Sequence, residues 1–271
     1  MFIKMRTLYL NENDNLNIVI DGPSLWIEED GKGQRIPFRL VNEVIVSGNI
    51  KLETKAISVF ARRGTPVVFL DKRGTFHTIA IAPGAINRNV FEFLSDKSKI
   101  VEAMENLLNA QRKKIQYSVA KDFFKMDIKK IKEIGFHEKD YQRFLKKIIL
   151  SRINSDSVFS IKGTLRGMMH GLISKKLLDA SLNPHNGIIS KRENYGLVLD
   201  FDRVMEIETD WIALQFIKYK EFENLFKSKS ILTKTGHHRL VNLFEKRRNK
   251  NKILVDSLLD SLFRLVKDYP L

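Results

Sequence analysis

A change of sequence pattern at Ala82-Pro83-Gly84 constrains the fold of this chain most. Before this point, short apolar runs are separated by Gly, Pro, Asn and Asp turn signals, a pattern typical of β-strands. After it, apolar residues recur every three or four positions over long stretches, which indicates amphipathic helices. We therefore predict an α+β protein, with a β-rich domain carrying one helix at residues 1–84 and an all-helical domain at residues 85–271.

The predicted elements follow from these patterns. The strands are predicted at Arg6–Leu10, Asn17–Ile20, Ser24–Ile27, Arg35–Leu40, Glu43–Val46, Pro66–Leu70 and Thr75–Ala82, with the helix at Glu53–Arg63. The later helices are predicted at Asp96–Phe124, Met126–Ile134, Glu138–Ile153, from Ser155 onward, and at Arg203–Phe226, Leu240–Glu245 and Lys252–Val266. The last two are predicted to be joined by a basic linker, Lys246–Lys252.

The charge of the chain points to a polyanionic partner. Lys and Arg number 47 against 32 Asp and Glu, giving a net charge of +15, and residues 1–84 hold only 11 and 9 of them. The excess therefore belongs to the helical part, and it favours nucleic acid over an anionic membrane. Cysteine is absent, no apolar run approaches the ~18 residues of a bilayer span, and no signal-peptide pattern is present. We expect a cytoplasmic protein.

The stretch from Ser155 to Asp210 carries the candidate site. It begins as a helical run and breaks at the turn signals Asn183-Pro184 and Asn186-Gly187. A short apolar run, Gly196–Leu199, then leads into Asp200 and Asp202. A helix, a turn and a carboxylate-bearing segment in this order can converge on one pocket.

This stretch resembles the catalytic half of the CRISPR-associated spacer integrase family, the first-numbered Cas protein. The family reads roughly G-L-N/D-P-x-x-G-x-x-H and then L-D-x-x-E, and here Ser181–Ser190 and Leu199–Arg203 follow that frame. A second match, Gly48–Gly74, is similar to the family's N-terminal β-domain signature. The resemblance implies a homodimer paired through the β-domains, with DNA and other CRISPR adaptation proteins as partners. It also implies metal-dependent cutting and joining of DNA, with a divalent ion held by Glu, His and a carboxylate.

The chain departs from the family at these metal-binding positions. Ser190 stands where the family has its His, Arg203 where it has a carboxylate, and Glu138 is the nearest match to the first Glu. A guanidinium has no lone pair to give, and a hydroxyl is a weak neutral ligand. We therefore predict a catalytically impaired or inactive homologue without a cofactor, which binds DNA or serves as a structural subunit in CRISPR adaptation.

Two alternatives stay open at this stage. One is an active endonuclease or integrase that uses Mg²⁺ or Mn²⁺ in a site rebuilt from Glu138, Asp200, Asp202 and His185. The other is a basic helical module outside the family, against which the N-terminal signature argues.

The candidate phosphate contacts are all cationic side chains. They are Lys191, Arg192, Arg203, Arg247 and Arg248. Arg203 has three interpretations: a phosphate contact, a solvated surface residue, or an internal pair with Asp200, Glu138 or Glu206. The basic run around Arg247 is equally a solvated linker or a contact to a phosphate backbone.

Overall fold

A computed structural model describes residues 2–4, 7–82, 98–219, 221–228 and 230–268. It confirms the α+β class, with strands in the amino-terminal part and helices in the remainder. The strands are β1 Phe2–Lys4, β2 Thr7–Asn11, β3 Leu16–Asp21, β4 Ser24–Glu29, β5 Lys32–Pro37, β6 Glu43–Ser47, β7 Val67–Leu70, β8 Phe76–Ala80, β9 Phe226–Ser228 and β10 Ile231–Leu232. The α-helices are α1 Thr54–Arg62, α2 Ser98–Phe124, α3 Ile128–Ile134, α4 Glu138–Leu150, α5 Ser155–Asp179, α6 Gly196–Ile217 and α7 Lys234–Asp268.

Two sheets form the amino-terminal part. The larger has the order β1-β2-β6-β7-β8, with parallel pairing at its centre and antiparallel pairing at both edges. All five residues of β6 are buried, as expected of a central strand covered on both faces. The smaller sheet is the antiparallel meander β3-β4-β5, whose buried residues Ile18, Leu25 and Ile27 join the same apolar core.

The described chain divides into two compact units. One comprises Met1–Asn87 together with Gly163–Asn183, and the other comprises Arg88–Lys162 together with Pro184–Leu271. Helix α5 therefore begins in the residues of the second unit and ends in those of the first. The predicted domain boundary at residue 84 lies outside the described residues and stays a prediction.

A stripe of glycines explains how α5 fits the first unit. Gly163, Gly167 and Gly171 recur every fourth residue and so lie on one face of the helix. A Cβ atom at Gly163 would stand 2.6 Å from the carbonyl oxygen of Gly74, and one at Gly171 would stand 2.4 Å from a carboxylate oxygen of Glu43. A face without side chains lets the helix come this close to the turn between β7 and β8 and to the Glu43 carboxylate.

The second unit corrects two predicted boundaries. Helix α6 begins at Gly196 rather than Arg203, because a short buried apolar run has no periodicity that separates strand from helix. It ends at Ile217, and the two-stranded pair β9–β10 follows within the predicted all-helical part.

The carboxyl-terminal helices predicted as two are one, α7. The basic run Lys246–Lys252 is part of that helix and is not a linker. Arg248 and Asn251 are buried in register with Phe244 and Val255, so the buried face continues through the run. Among the residues described, no helix is both long and apolar enough to cross a membrane.

Candidate functional site

The carboxylate of Asp200 holds the loop that precedes α6. It accepts hydrogen bonds from the backbone N–H groups of Ile188 at 2.7 Å, Ile189 at 3.0 Å and Ser190 at 2.9 Å. Asp200 is fully buried and lies four residues after Gly196, where the helix begins. Three backbone N–H groups use both of its oxygens, and its side chain is buried away from solvent, so this residue shapes the loop rather than facing a metal in solution.

The same loop closes on itself at two further points. The carbonyl of His185 accepts the N–H groups of Gly187 and Gly196, and a Cβ atom at either glycine would meet the backbone of the other within about 3 Å. The His185 ring lies against Tyr195, with ring centroids 4.5 Å apart, and its Nδ1 accepts the Tyr195 N–H at 3.4 Å. Burial lowers the pKa of His185 below its ordinary value.

Glu138 lies at the first turn of α4 and is bound by three donors. Both Arg112 and Gln116 donate to it, with Arg112 Nη2 2.8 Å from Oε1 and Gln116 Nε2 2.6 Å from Oε2, and Gln142 adds a bond of 2.8 Å to Oε1. Partial burial raises the pKa of this carboxyl, but the bonds from Arg112 and the two glutamines outweigh it and lower the pKa to about 2. Glu138 is therefore ionised, and the positive charge of Arg112 balances its negative charge.

Arg112 connects this carboxylate to α6. Its Nη1 donates to Glu206 at 3.1 Å and also to the main-chain carbonyl of Arg203. Two contacts thus link the family-matched positions. Arg112 joins Glu138 to the backbone of Arg203. Asp200, one turn before Arg203, accepts the N–H of Ser190. The Glu, His and carboxylate ligands that the resemblance implies do not occur together at these positions.

The side chain of Arg203 itself is exposed. Glu138 and Glu206 are paired with Arg112 and Asp200 with the loop backbone, and no carboxylate in the described part of the chain pairs with Arg203. The internal-pair interpretation was therefore wrong for the residues described. Lys191 and Arg192 are likewise exposed, in the loop that Asp200 holds.

Arg247 and Arg248 lie in a different environment. Arg247 pairs with the buried Glu208 through its Nε at 2.9 Å, and its guanidinium lies 3.6 Å from the centre of the Trp211 ring. Arg248 is 3% exposed and pairs with Glu245 at 2.8 Å. Their role as phosphate contacts stays a prediction, and their cationic groups are already engaged inside the helical unit.

The donor atoms at the site do not fit a divalent metal. Cationic and amide donors bind both oxygens of Glu138, and three backbone N–H groups bind those of Asp200. Asp202 is buried with 1% exposure. His185 lies against Tyr195. Across the residues that the structure describes, no three His, Asp or Glu side chains are placed to share an ion.

Sequence reasoning missed a second polar cluster in the same unit. The buried carboxylate of Asp210 on α6 pairs with Lys162 at 2.7 Å and accepts a hydrogen bond from the Tyr141 hydroxyl at 3.1 Å. Burial raises the pKa of Asp210, against the opposing effect of the Lys162 charge. The only available signal was the spacing of Glu206 and Asp210, four residues apart on one helix face.

Comparison with known proteins shows which family the chain matches. The family model described as CRISPR associated protein Cas1 matches residues 8–148, just over half of the chain. Among curated proteins none matches the sequence.

Solved structures share the fold at low sequence identity. A Cas1 protein from Thermotoga maritima matches with a TM-score of 0.72 at 12% identity, over 95% of this chain and 97% of that chain. A casposase bound to an integration product matches with a TM-score of 0.71 at 15% identity, over 98% of this chain and 92% of that chain. A Cas1–DNA complex matches with a TM-score of 0.60 at 10% identity, over 98% of this chain and 93% of that chain. With this fold and the matched residues, the chain belongs to the Cas1 family of CRISPR-associated proteins.

Proposed function

We propose that this chain is a non-catalytic Cas1-family protein of CRISPR adaptation that binds DNA without a divalent metal. The observation that carries the proposal is the state of the family-matched positions. Arg203 presents an exposed cation where the family resemblance implies a metal-binding carboxylate. Of the remaining candidate oxygen donors, Glu138 and Asp200 are engaged by Arg112 and by backbone N–H groups, and Asp202 is buried.

An exposed arginine at this place can bind a phosphate directly. Guanidinium groups contact phosphate oxygens without assistance from a metal, and Lys191 and Arg192 add two more exposed cations in the neighbouring loop. The charge of the chain supports this, because residues 85–271 hold 36 of the 47 Lys and Arg against 23 of the 32 Asp and Glu. The structural neighbours solved with an integration product and with DNA support a nucleic acid as the partner.

The test is the salt dependence of DNA binding. We expect the wild-type protein to bind branched or duplex DNA in EDTA. Arg203→Ala should make the negative slope of log K against log salt shallower by about one. Changing Lys191, Arg192 and Arg203 together to Ala should make the slope shallower by about 2.7, because each phosphate contact contributes about −0.9. Fluorescence anisotropy over a series of salt concentrations measures both.

The control is Lys267→Ala, an exposed cation at the far end of α7, which leaves the slope unchanged. Stability should stay within about 0.5 kcal/mol of wild type for Arg203→Ala, as at other surface positions. Cleavage or strand transfer that requires Mg²⁺ or Mn²⁺ and is lost in Glu138→Gln contradicts the proposal. Asp200→Ala is unsuitable as that control because it removes the support of the loop.

We also propose that the protein is a homodimer. The family resemblance implies pairing through the β-domains, and residues 1–84 carry a net charge of only +2, from 11 Lys and Arg and 9 Asp and Glu, so they resist self-association little. Light scattering at micromolar concentration is expected to give twice the mass of the 31.5 kDa chain. A monomer at every salt concentration contradicts this proposal.

A further inference from the structure

The guanidinium of Arg112 lies in a pocket lined by oxygen atoms. Its Nε is 3.1 Å from Glu138 Oε2 and its Nη2 is 2.8 Å from Glu138 Oε1. Its Nη1 is 3.1 Å from Glu206 Oε2 and donates to the carbonyl of Arg203 as well. Each of its three nitrogens therefore meets an oxygen, and the side chain is only 15% exposed.

Three helices build this pocket. Arg112 comes from α2, Glu138 from α4, and Glu206 with the Arg203 carbonyl from α6. Gln116 and Gln142 donate to the two oxygens of Glu138 and so fix the plane of its carboxylate. A side chain oriented by neighbours on two helices is held in place before any ligand arrives.

The charges of the pocket agree with this geometry. Burial lowers the pKa of Arg112, but the hydrogen bond and charge of Glu138 and the charge of Glu206 outweigh it, so the pKa of Arg112 is raised. The guanidinium and Glu138 are therefore ionised together. Two carboxylates and a main-chain carbonyl are also the oxygen donors that hard divalent cations prefer.

We propose that the Arg112 guanidinium is a built-in cation that takes the place of a divalent metal ion between Glu138, Glu206 and the main-chain carbonyl of Arg203. The guanidinium supplies the positive charge that these oxygens need, and its three nitrogens exclude a metal from them. This inference shares one observation with the proposed function, the pairing of Glu138 with Arg112, and goes beyond it by assigning Arg112 the place of a metal. DNA binding itself is proposed to use the exposed side chain of Arg203.

Removing the guanidinium should open the pocket to a metal. Mn²⁺ is the probe, measured by titration calorimetry and by the loss of its free-ion signal in electron paramagnetic resonance. We expect Arg112→Ala to bind one Mn²⁺ at least about tenfold more tightly than wild type, because a unit charge a few ångströms away costs that much even at high dielectric. Arg112→Lys, which keeps the charge, gains little, and Arg112→Ala with Glu138→Gln loses the gain.

Thermal melting provides a readout that does not depend on DNA. Mn²⁺ should raise the melting temperature of Arg112→Ala and leave that of wild type unchanged, since a ligand stabilises only the state that binds it. If Arg112→Ala unfolds without metal, recovery of its circular dichroism on adding Mn²⁺ supports the inference.

The opposite results overturn it. Saturable binding of one Mn²⁺ by wild type with an affinity equal to that of Arg112→Ala means that the guanidinium does not occupy a metal's place. Absence of Mn²⁺ binding by Arg112→Ala and by Arg112→Gln, folded or refolded with the ion, leads to the same conclusion. Binding of DNA by wild type in EDTA is measured separately, so failure of this inference is distinguishable from failure of the proposed function.

Discussion

Asp200→Ala is expected to lower the free energy of unfolding by about 3 kcal/mol or more, because three backbone N–H groups lose their acceptor at once. Those groups belong to residues 188–190, and all three bonds are 3.0 Å or shorter. Ile188 is buried, so its N–H has no water to replace the carboxylate. Chemical denaturation of the full chain measures the loss.

Two further variants separate the hydrogen bonds that Asp200 accepts from ordinary effects of its charge. Asp200→Asn keeps one acceptor oxygen in nearly the same shape, and its loss of stability should lie between those of wild type and Asp200→Ala. Glu193→Ala removes an exposed carboxylate from the same loop and should change stability by less than about 0.5 kcal/mol. If Asp200→Ala matches Glu193→Ala, the carboxylate does not support the loop.

Lys162→Met is expected to lower the free energy of unfolding by about 3 kcal/mol at neutral pH, because it leaves a buried carboxylate without its cation. That carboxylate is Asp210, which is fully buried and 2.7 Å from the Lys162 ammonium. Methionine fills a volume similar to that of the lysine stem, so lost packing contributes little to the effect.

The pH dependence of this loss has a definite sign. Burial already raises the pKa of Asp210, the Lys162 charge and hydrogen bond lower it, and Glu206 raises it further. Without Lys162 the folded-state pKa rises still more above the unfolded value of 3.8. A carboxyl with a raised pKa favours folding below its unfolded pKa and loses that contribution as pH rises through the folded pKa.

The difference in stability between Lys162→Met and wild type should therefore narrow on acidification toward pH 4. Lys147→Met, at an exposed position on α4, serves as the control and should show no such dependence. A difference that stays constant from neutral pH to pH 4 would mean that Asp210 does not titrate in the way its surroundings imply.

The strands were predictable because the turns between them use residues with few alternatives. Gly22 and Gly31 adopt positive φ at the two turns of the meander, as their neighbours in sequence indicated. Strand β1 was not predicted, because three residues are too few to show an alternation of apolar and polar side chains. Its antiparallel pairing with β2 identifies it as a strand. The continuity of α7 was missed because a basic run resembles a linker until the partner of each charge is known.

The role of the site residues stays a prediction, but the structure shows bonds among them that the sequence did not indicate. The family frame located Glu138, Ser190 and Arg203, which Arg112 and Asp200 link in the structure. Arg112 has partners 26 and 94 residues away, and no local pattern connects residues at such separations. The sequence suggested Asp200 as a metal ligand because it has a carboxylate at the matched position. In the structure its neighbours are backbone N–H groups.

The two-part composition of the first unit has a consequence for synthesis. Its strands leave the ribosome early, whereas Gly163–Asn183 follows only after all of Arg88–Lys162 has been made. Until then the residues that meet Gly163, Gly167 and Gly171, in the turn between β7 and β8 and in strands β6 and β7, lack the helix that covers them. A nascent chain with uncovered sheet surface is open to aggregation or to chaperones. The glycine stripe therefore completes the amino-terminal unit late, and its long sequence separation makes this docking step slow compared with closing the hairpins.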